Sequence, residues 1–340
     1  MISPSARPLR IGILGAANIA RLFVAGVRPS LKVAVTAVTS RDAERARKFA
    51  AETGIEQVHP TYEALLADPE IDAIYNPLPN NLHAEWSIRA ANAGKHVLCE
   101  KPLATSATEA RAMFAAAARN GVQLAEAYPY RAQPQTLKLR ELLKENVIGR
   151  LQLIQASFGF PLSDASNIRL NPALAGGALM DAGCYPVSLV RTIAGERPKC
   201  VHAMARWSES GVDRTLVASI EFSSGLLAQV SCSFATARHR HAFVAGDGGV
   251  IRTTYFNDTS AALPPVLEIR RGPGLDAKQE LVETAATNGF FAEAEAFHDL
   301  VVHGRDRWEG ASPEESIDIA LTLEALAASA RRGVTVDVAN

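Results

Sequence analysis

Residues 9–20 read LRIGILGAANIA: an apolar run from Leu9 to Leu14, a turn at Gly15, and the start of a helical pattern that continues from Asn18 to about Val27. Strands and helices keep alternating as far as residue 127. Further strands are predicted at Lys32–Thr39, Ile71–Tyr75, His96–Cys99 and Gln123–Ala127, and further helices at Asp42–Glu52, Tyr62–Ala67, Asn81–Ala93 and Thr108–Arg119. Alternation at this spacing predicts a parallel, doubly wound α/β sheet.

The pattern changes near Tyr128. After a predicted helix at Gln135–Lys144, apolar and polar residues alternate in long runs: Gln152–Phe158, Cys200–Trp207, Arg214–Phe222, Leu226–Phe234, Val250–Phe256 and Leu267–Arg271. Such runs indicate a large, mostly antiparallel open sheet with one face on helices. We therefore predict two domains, residues 1–127 with the doubly wound sheet and residues 128–340 of α+β type. A last helix, residues 313–331, is expected to pack back on the first domain.

The composition fits a globular protein and excludes several partners. Of the 340 residues, 48% are hydrophobic and 21% charged, and the net charge is -1, which gives no basic footprint for nucleic acid or an anionic membrane. The four cysteines are scattered, with neither a C-x-x-C pair nor metal-ligand spacing, as expected for buried thiols in a reducing compartment. The sequence predicts a cytoplasmic protein without a membrane span or a metal site.

The first turn has the features of a dinucleotide site in a Rossmann domain. Aligned to G-x-G-x-x-G, Gly15 is the tight-turn glycine, while Ala17 and Ala20 replace the other two. Small residues there let the backbone approach a pyrophosphate, and the helix that follows offers unpaired N–H groups. Glycine and alanine are common in any turn between a strand and a helix. The prediction of a dinucleotide site therefore depends mainly on the alternating strands and helices that follow. The expected contacts are Gly15, Ala16, Ala17, Asn18 and Ile19.

The end of the second strand bears on which dinucleotide binds. An NAD site usually has an acid at this position, whereas this chain has Ser40 and Arg41, with Arg45 one helical turn later. A hydroxyl and guanidinium groups suit the 2′-phosphate of NADP. Asp42 is adjacent, but it is better explained as a helix N-cap. NADP is therefore favoured, and NAD remains open.

The fourth strand runs into Glu100-Lys101-Pro102. Ligands of open α/β sheets bind beyond the carboxyl ends of the strands, so Lys101 is expected to project towards the nicotinamide end of the cofactor. A single lysine is more often a solvated surface residue. Its place at a strand end is what makes Lys101 a candidate.

Taken together, the motifs resemble the Gfo/Idh/MocA oxidoreductase family over nearly the whole chain. They are Gly15-Ala-Ala-Asn-Ile-Ala20, Ser40-Arg41, Asn76-Pro77, Glu100-Lys101-Pro102 and Asp181-Ala-Gly-Cys-Tyr185. Most members have histidine where Tyr185 stands. Tyrosine there is similar to the branch with D-xylose dehydrogenase, glucose–fructose oxidoreductase and dihydrodiol dehydrogenase.

The resemblance implies a set of site residues. Lys101, Asp181 and Tyr185 would line the substrate and carry the chemistry. Tyr128 and Arg131 would also contact the substrate. Arg169, which precedes the Gly176-Gly177 turn, is a further candidate for substrate binding and is explained at least as well as part of a solvated loop. Around the cofactor, the resemblance and the strand positions give Asn76, Pro77, His83, Glu100 and Lys101, although His83 is better explained as a helix-start residue than as a catalyst.

The chemistry of the three catalytic candidates is coherent. Oxidising a carbinol requires removal of the hydroxyl proton, and a phenol titrates near ~10, so Tyr185 needs a nearby cation to act as a base. Lys101 would supply that charge and hydrogen-bond the developing alkoxide. On a helix, Asp181 and Tyr185 share one face, and Asp181 would orient a substrate hydroxyl or hold Lys101. Alternatively, Asp181 is only an acid at a helix N-terminus, and Pro186 would disturb the helical spacing.

Other polar groups give weaker signals. Arg238-His239-Arg240-His241 is interpreted as a solvated strand end or an interface, and His298 and His303 lack the spacing of metal ligands. The preferred function is an NADP-dependent aldose dehydrogenase. The alternatives are trans-diol oxidation or keto-sugar reduction, and a non-catalytic NADP-binding redox sensor. Apolar residues on the open sheet predict a homodimer or homotetramer formed through it.

Overall fold

The computed structural model describes residues 7–164, 166–260, 262–274 and 276–338. The chain forms two compact units. The first comprises the chain up to Ala104, Thr108–Gln133 and Thr287–Pro313; the second comprises Thr105–Ala107, Pro134–Ala286 and the chain from Glu314 onwards. The first unit thus includes a stretch after residue 286 that the sequence analysis placed in the second domain. Apart from its first residue, the helix that begins at Pro313 is part of the second unit.

The elements are numbered in chain order. Within the described ranges, the helices are α1 Asn18–Val27, α2 Ala43–Thr53, α3 Tyr62–Ala67, α4 His83–Asn92, α5 Ala107–Arg119, α6 Pro134–Lys144, α7 Cys184–Ala194, α8 Gly289–His303 and α9 Pro313–Arg332. The strands of the same ranges are β1 Leu9–Leu14, β2 Val33–Thr39, β3 Gln57–His59, β4 Ala73–Asn76, β5 His96–Glu100, β6 Leu124–Ala127, β7 Leu151–Gly159, β8 Pro198–Trp207, β9 Asp213–Phe222, β10 Leu227–Ser233, β11 His239–Gly246, β12 Gly249–Thr254, β13 Val266–Arg271, β14 Lys278–Glu283 and β15 Val336–Asp337.

In the described part of the first unit, six strands form one parallel sheet in the order β3-β2-β1-β4-β5-β6. Its central strands β1, β4 and β5 are almost entirely buried, because helices cover both faces of such a sheet. This confirms the predicted Rossmann arrangement. The sequence analysis missed β3, an edge strand with no apolar alternation to mark it.

Helix α8 was also missed, because apolar residues occur around most of its circumference and mark no single face. Asn288 caps it, accepting hydrogen bonds from the N–H groups of Phe290 and Phe291 at 3.0 and 3.3 Å. It packs against α1, where Gly26 permits the close approach. A Cβ built on Gly26 would lie 2.6 Å from Oδ1 of Asn288 and 2.7 Å from Cβ of Phe290.

In the second unit, nine strands of the described residues form a sheet in the order β14-β13-β12-β11-β7-β10-β9-β8-β15. All neighbours are antiparallel except β7 and β10, which confirms the predicted open sheet. Helix α7 packs against β7 and β10 on one face. The sheet also carries exposed apolar side chains: Met204 on β8, Val217 on β9 and Leu227 on β10. The structure adds β11, β14 and β15 to the strands predicted from the sequence.

One helical stretch of the described chain, Pro172–Ala194, is apolar and long enough to cross a membrane by length and composition alone. In the most apolar 18-residue segment of this stretch, 67% is buried inside the protein. Helix α7 lies within the stretch. Such burial is typical of a core helix in a globular domain.

Glu293 is a carboxyl group in the core of the first unit. It lies on α8 next to the buried core residues Ala294 and Phe297, and neither of its carboxyl oxygens has a hydrogen-bond partner among the described residues. Burial raises the pKa of Glu293 well above its usual range, and the charge of Glu100 adds to the rise. Glu293 is therefore protonated in the folded protein at pH values where the unfolded chain ionises.

We expect Glu293→Gln to stabilise the protein increasingly as pH rises. A carboxyl group whose pKa is raised by folding gives stability that is lost as pH rises from its unfolded value, near 4.5, through the folded one. The melting temperature of the variant should exceed that of the wild type by roughly 2–4 °C at pH 8 and match it near pH 4. The exposed Glu56→Gln is the matched control. A difference between Glu293→Gln and the wild type that is the same at both pH values would contradict the assignment.

Candidate active site

The turn after β1 leads into a helix N-terminus that no side chain caps. Gly15 has φ 94°, in the region that favours glycine, and its N–H donates to the Thr39 carbonyl at 2.7 Å. At the start of α1, Ala17 provides no side-chain cap and the first turn has no acid. By contrast, side chains cap α2, α3 and α8. The N–H groups near Asn18 and Ile19 can therefore accept an anionic ligand such as a pyrophosphate.

The residues after β2 are tied to the same turn. Arg45 donates from Nε and Nη2 to the Ala16 carbonyl at 3.2 and 3.0 Å. Asp42 accepts from the N–H groups of Glu44 and Arg45, which confirms its interpretation as the N-cap of α2. Ser40 is largely buried and Arg41 is exposed beside it. This brings an exposed guanidinium and a hydroxyl to the strand end where an adenosine 2′-phosphate would lie.

Contacts on three sides fix the turn Glu100-Lys101-Pro102. Tyr75 donates its hydroxyl to the buried Glu100 carboxylate at 2.5 Å. The His83 Nδ1 atom is 2.8 Å from the Pro102 carbonyl. The N–H of Leu103 donates to the Glu126 carboxylate at 2.9 Å. The Lys101–Pro102 peptide bond is cis, and Lys101 is partly exposed.

His83 and Asn76 shape this turn through contacts within the protein. The Nε2 atom of His83 is 2.7 Å from the Leu78 carbonyl, so both ring nitrogens contact carbonyl groups. Burial lowers the pKa of His83, and the contacts with the Pro102 and Leu78 carbonyls oppose that shift. Asn76, at the end of β4, donates to the His83 carbonyl and the Ser87 hydroxyl at 3.2 and 3.0 Å. Pro77 follows it, buried.

Tyr128 and Arg131 follow β6 and are each 2% exposed. The ring of Tyr128 meets that of Tyr130 edge to face, with centroids 6.0 Å apart. Because the strands are parallel, these residues lie at the same edge of the sheet as the ends of β1, β2, β4 and β5. The structure thus brings all the candidate residues of the first unit to one edge.

In the second unit, the turn before α7 depends on Gly177 and Asp213. Gly177 has φ 121°, and a Cβ there would lie 2.3 Å from Oδ1 of Asp213. The other carboxylate oxygen of Asp213 accepts from the Leu179 N–H at 2.6 Å. Asp213 therefore holds the start of this helical stretch, and Asp181 lies in its first turn, where the alternative interpretation placed it as an acid favoured by the helix dipole.

Asp181 and Tyr185 lie on one continuous helical stretch whose winding changes between them. Leu179–Gly183 forms a π-helical turn, and α7 follows directly from Cys184. Pro186 is the third residue of α7, in a first turn where proline is tolerated. Arg169 donates from Nε to the Asp181 carboxylate at 2.7 Å. The structure therefore brings Arg169 and Asp181 together as an ion pair.

Tyr185 is 3% exposed, and its phenol oxygen accepts a hydrogen bond from Nδ2 of Asn257 at 2.9 Å. Arg240 lies over its ring. The interpretation of the Arg238–His241 run as solvated or interfacial was wrong for Arg240, which is 4% exposed. Alternation along β11 turns Arg240 inwards, while its neighbours face the other way. Asn257 was missed, since a lone asparagine in a loop gives no signal.

No group of three or more His, Cys, Asp or Glu side chains that could hold a metal ion is found among the described residues.

Comparisons with known proteins agree across both units. The family model "Oxidoreductase family, NAD-binding Rossmann fold" of GFO/IDH/MocA matches residues 9–128, and the GFO/IDH/MocA C-terminal domain model matches residues 136–252. The NADP-dependent D-xylose 1-dehydrogenase 2 of Haloferax volcanii is 36% identical over 97% of this chain and 100% of its own. The trans-1,2-dihydrobenzene-1,2-diol dehydrogenase of Danio rerio is 35% identical over 72% of this chain and 74% of its own.

A solved structure has the same fold. The 3-ketoreductase from Actinomadura kijaniata, in complex with NADP and TDP-benzene, superposes with a TM-score of 0.85 at 32% identity. The match covers 95% of this chain and 98% of the other.

Proposed function

Because the chain belongs to the GFO/IDH/MocA oxidoreductase family, we propose that it is an NADP-dependent dehydrogenase that oxidises the anomeric carbinol of an aldose to a lactone. The chain is an oxidoreductase, so the non-catalytic redox sensor is disfavoured. The likeness to a D-xylose dehydrogenase over 97% of this chain and the whole of the relative supports an aldose substrate. The likeness to a diol dehydrogenase and to a 3-ketoreductase keeps trans-diols and keto-sugars as the second candidates.

One observation carries the chemistry: Tyr185 is a buried phenol whose oxygen is held by Asn257 and whose ring lies under a guanidinium. Such a phenol is suited to exchange a proton with a substrate hydroxyl. In its phenolate form, Tyr185 takes the hydroxyl proton as the carbinol is oxidised. Lys101, fixed at the end of β5, stabilises the alkoxide as it develops. Asp181, paired with Arg169, orients a neighbouring hydroxyl, and Tyr128 and Arg131 complete the substrate contacts.

The residues present fit NADP. The uncapped start of α1 suits the pyrophosphate, with Gly15, Ala16, Ala17, Asn18 and Ile19 around it. Ser40 and Arg41 hold the 2′-phosphate. Arg45 donates to the Ala16 carbonyl and so joins the residues after β2 to the turn after β1. Asn76, Pro77, His83, Glu100 and Lys101 form the edge towards the nicotinamide, which accepts hydride from the substrate carbon when bound.

Arg41→Ala should weaken NADPH binding by about 10–100-fold and leave NADH binding unchanged, because a charge-assisted contact to the 2′-phosphate contributes about 1.5–3 kcal/mol. Fluorescence titration with each nucleotide measures both constants. Arg47→Ala, which removes an exposed arginine of α2, is the charge-matched control. Equal losses for the two nucleotides would contradict a 2′-phosphate contact.

Tyr185→Phe should lower NADPH formation by roughly 10²–10⁴-fold, the usual contribution of a positioned acid or base. The assay follows absorbance at 340 nm with NADP⁺ or NAD⁺ and a panel of aldoses, inositols and trans-diols. The NADPH dissociation constant should not change, since the phenol acts on the substrate. A variant that keeps wild-type turnover with its best substrate would remove Tyr185 from the mechanism.

We further propose a homodimer or homotetramer formed through the open sheet. Met204 and Leu227 are 64% and 53% exposed on its strands, an apolar surface that a partner would cover. Light scattering should give at least twice the chain mass at micromolar concentration, and Met204→Glu should lower it. A wild-type monomer at that concentration would refute the proposal.

We place this enzyme in the cytoplasm, with no nucleic-acid or membrane partner.

A further inference from the structure

Arg240 is a buried cation enclosed by aromatic rings in the second unit. Its guanidinium carbon lies 3.9 Å from the ring centroid of Tyr185, 4.7 Å from that of Tyr255 and 4.9 Å from that of Phe158. Arg240 and Phe158 are direct cross-strand partners on β11 and β7, and the Phe158 ring meets Tyr185 edge to face. The sheet register therefore places the guanidinium against the phenol.

A hydrogen-bonded chain links the same residues. Arg240 donates from Nη1 to Oδ1 of Asn257 at 2.9 Å, and Nδ2 of Asn257 donates to the Tyr185 oxygen at 2.9 Å. A guanidinium has only donors, so it selects the oxygen of the amide and turns the amide NH₂ group towards the phenol. Arg240 thus fixes the direction from which Asn257 approaches the phenol oxygen.

The other titratable groups near Tyr185 do not offer a comparable positive charge. Strand β7 has none in its sequence. On β10, burial raises the pKa of the Cys232 thiol well above its usual range, so that thiol is neutral. On the π-helical turn, the Asp181 carboxylate is paired with Arg169. The neighbours of Arg240 on β11, His239 and His241, alternate to the opposite face of the sheet.

We propose that Arg240 and Asn257 are positioning residues for Tyr185, with the guanidinium stabilising the phenolate and the amide fixing the lone pair that receives the substrate proton. The guanidinium carbon lies 3.9 Å from the centroid of the ring over which a phenolate charge is delocalised, and an opposite charge that close favours the ionised form. The inference rests on the proposed function of Tyr185. Arg240, Asn257 and Tyr185 all belong to the second compact unit.

The direct test is the ionisation of Tyr185, measured by the absorbance of its phenolate at 295 nm. Subtracting the titration of Tyr185→Phe from that of the wild type isolates one phenol, and the same subtraction is made in an Arg240→Met background. Arg240→Met should raise the midpoint by at least about one pH unit. Arg240→Lys, which keeps a charge but not the planar fork, should raise it less. An unchanged midpoint in Arg240→Met would overturn the proposal.

The activity profile supplies the second readout. In Arg240→Met, the acidic limb of kcat/KM should move to higher pH by the same amount as the midpoint, while NADPH affinity stays unchanged. Asn257→Ala is a smaller change, and it serves as the second variant if Arg240→Met does not fold. It should lower kcat about tenfold without raising KM. Arg252→Met, which removes an exposed arginine stacked on Phe243 at 5.7 Å in the same sheet, is the matched control and should change neither readout.

The outcomes separate the inference from the function on which it rests. A shifted midpoint in a protein whose Tyr185→Phe variant keeps full turnover would support the contact and refute the proton transfer. A Tyr185→Phe variant without activity, combined with an unmoved midpoint and an unmoved acidic limb in Arg240→Met, would support the proton transfer and refute the role of Arg240.

Discussion

Three hydrogen-bonded contacts around the end of β5 hold the backbone on which Lys101 stands. The Tyr75 hydroxyl binds Glu100, His83 contacts the Pro102 carbonyl, and Glu126 accepts from the N–H of Leu103. Each of these side chains is buried, so the turn has few ways to relax. In a parallel sheet the neighbouring strand ends lie at the same edge. Fixing this turn therefore fixes Lys101 relative to the cofactor residues after β1 and β2.

In the second unit the constraint is the ionisation of a buried tyrosine, because a phenol is a poor base in apolar surroundings. Burying an arginine side chain is costly because its charge loses its hydration. Cation–π contacts with the surrounding rings offset about 2 kcal/mol of that cost. Arg240 is nevertheless placed inside, in contact with three rings and with Asn257. A hydrophobic residue would fill the same space at lower cost, so the charge is explained best by the ionisation of Tyr185.

Local signals in the sequence predicted much of this arrangement. The bounds of β1 and α1 follow from an apolar run, a glycine and a helical period, and the place of Lys101 follows from its position after a strand. Helix α8 escaped because its apolar residues mark no single face. The role of Arg240 escaped because it depends on the pairing of β11 with β7, a contact between distant segments. In the sequence, Arg240 stands in a basic run typical of a solvated strand end.

We propose that Lys101 acts on the reacting hydroxyl and does not simply support the fold or bind cofactor. The most direct measurement is kcat/KM for NADP⁺ reduction by the Lys101→Met variant, together with its NADPH dissociation constant and melting temperature. The account predicts that kcat/KM falls at least ~10²-fold, while nucleotide affinity and melting temperature stay close to wild type. A loss of activity matched by an equal loss of nucleotide affinity, or activity that is retained, would contradict it.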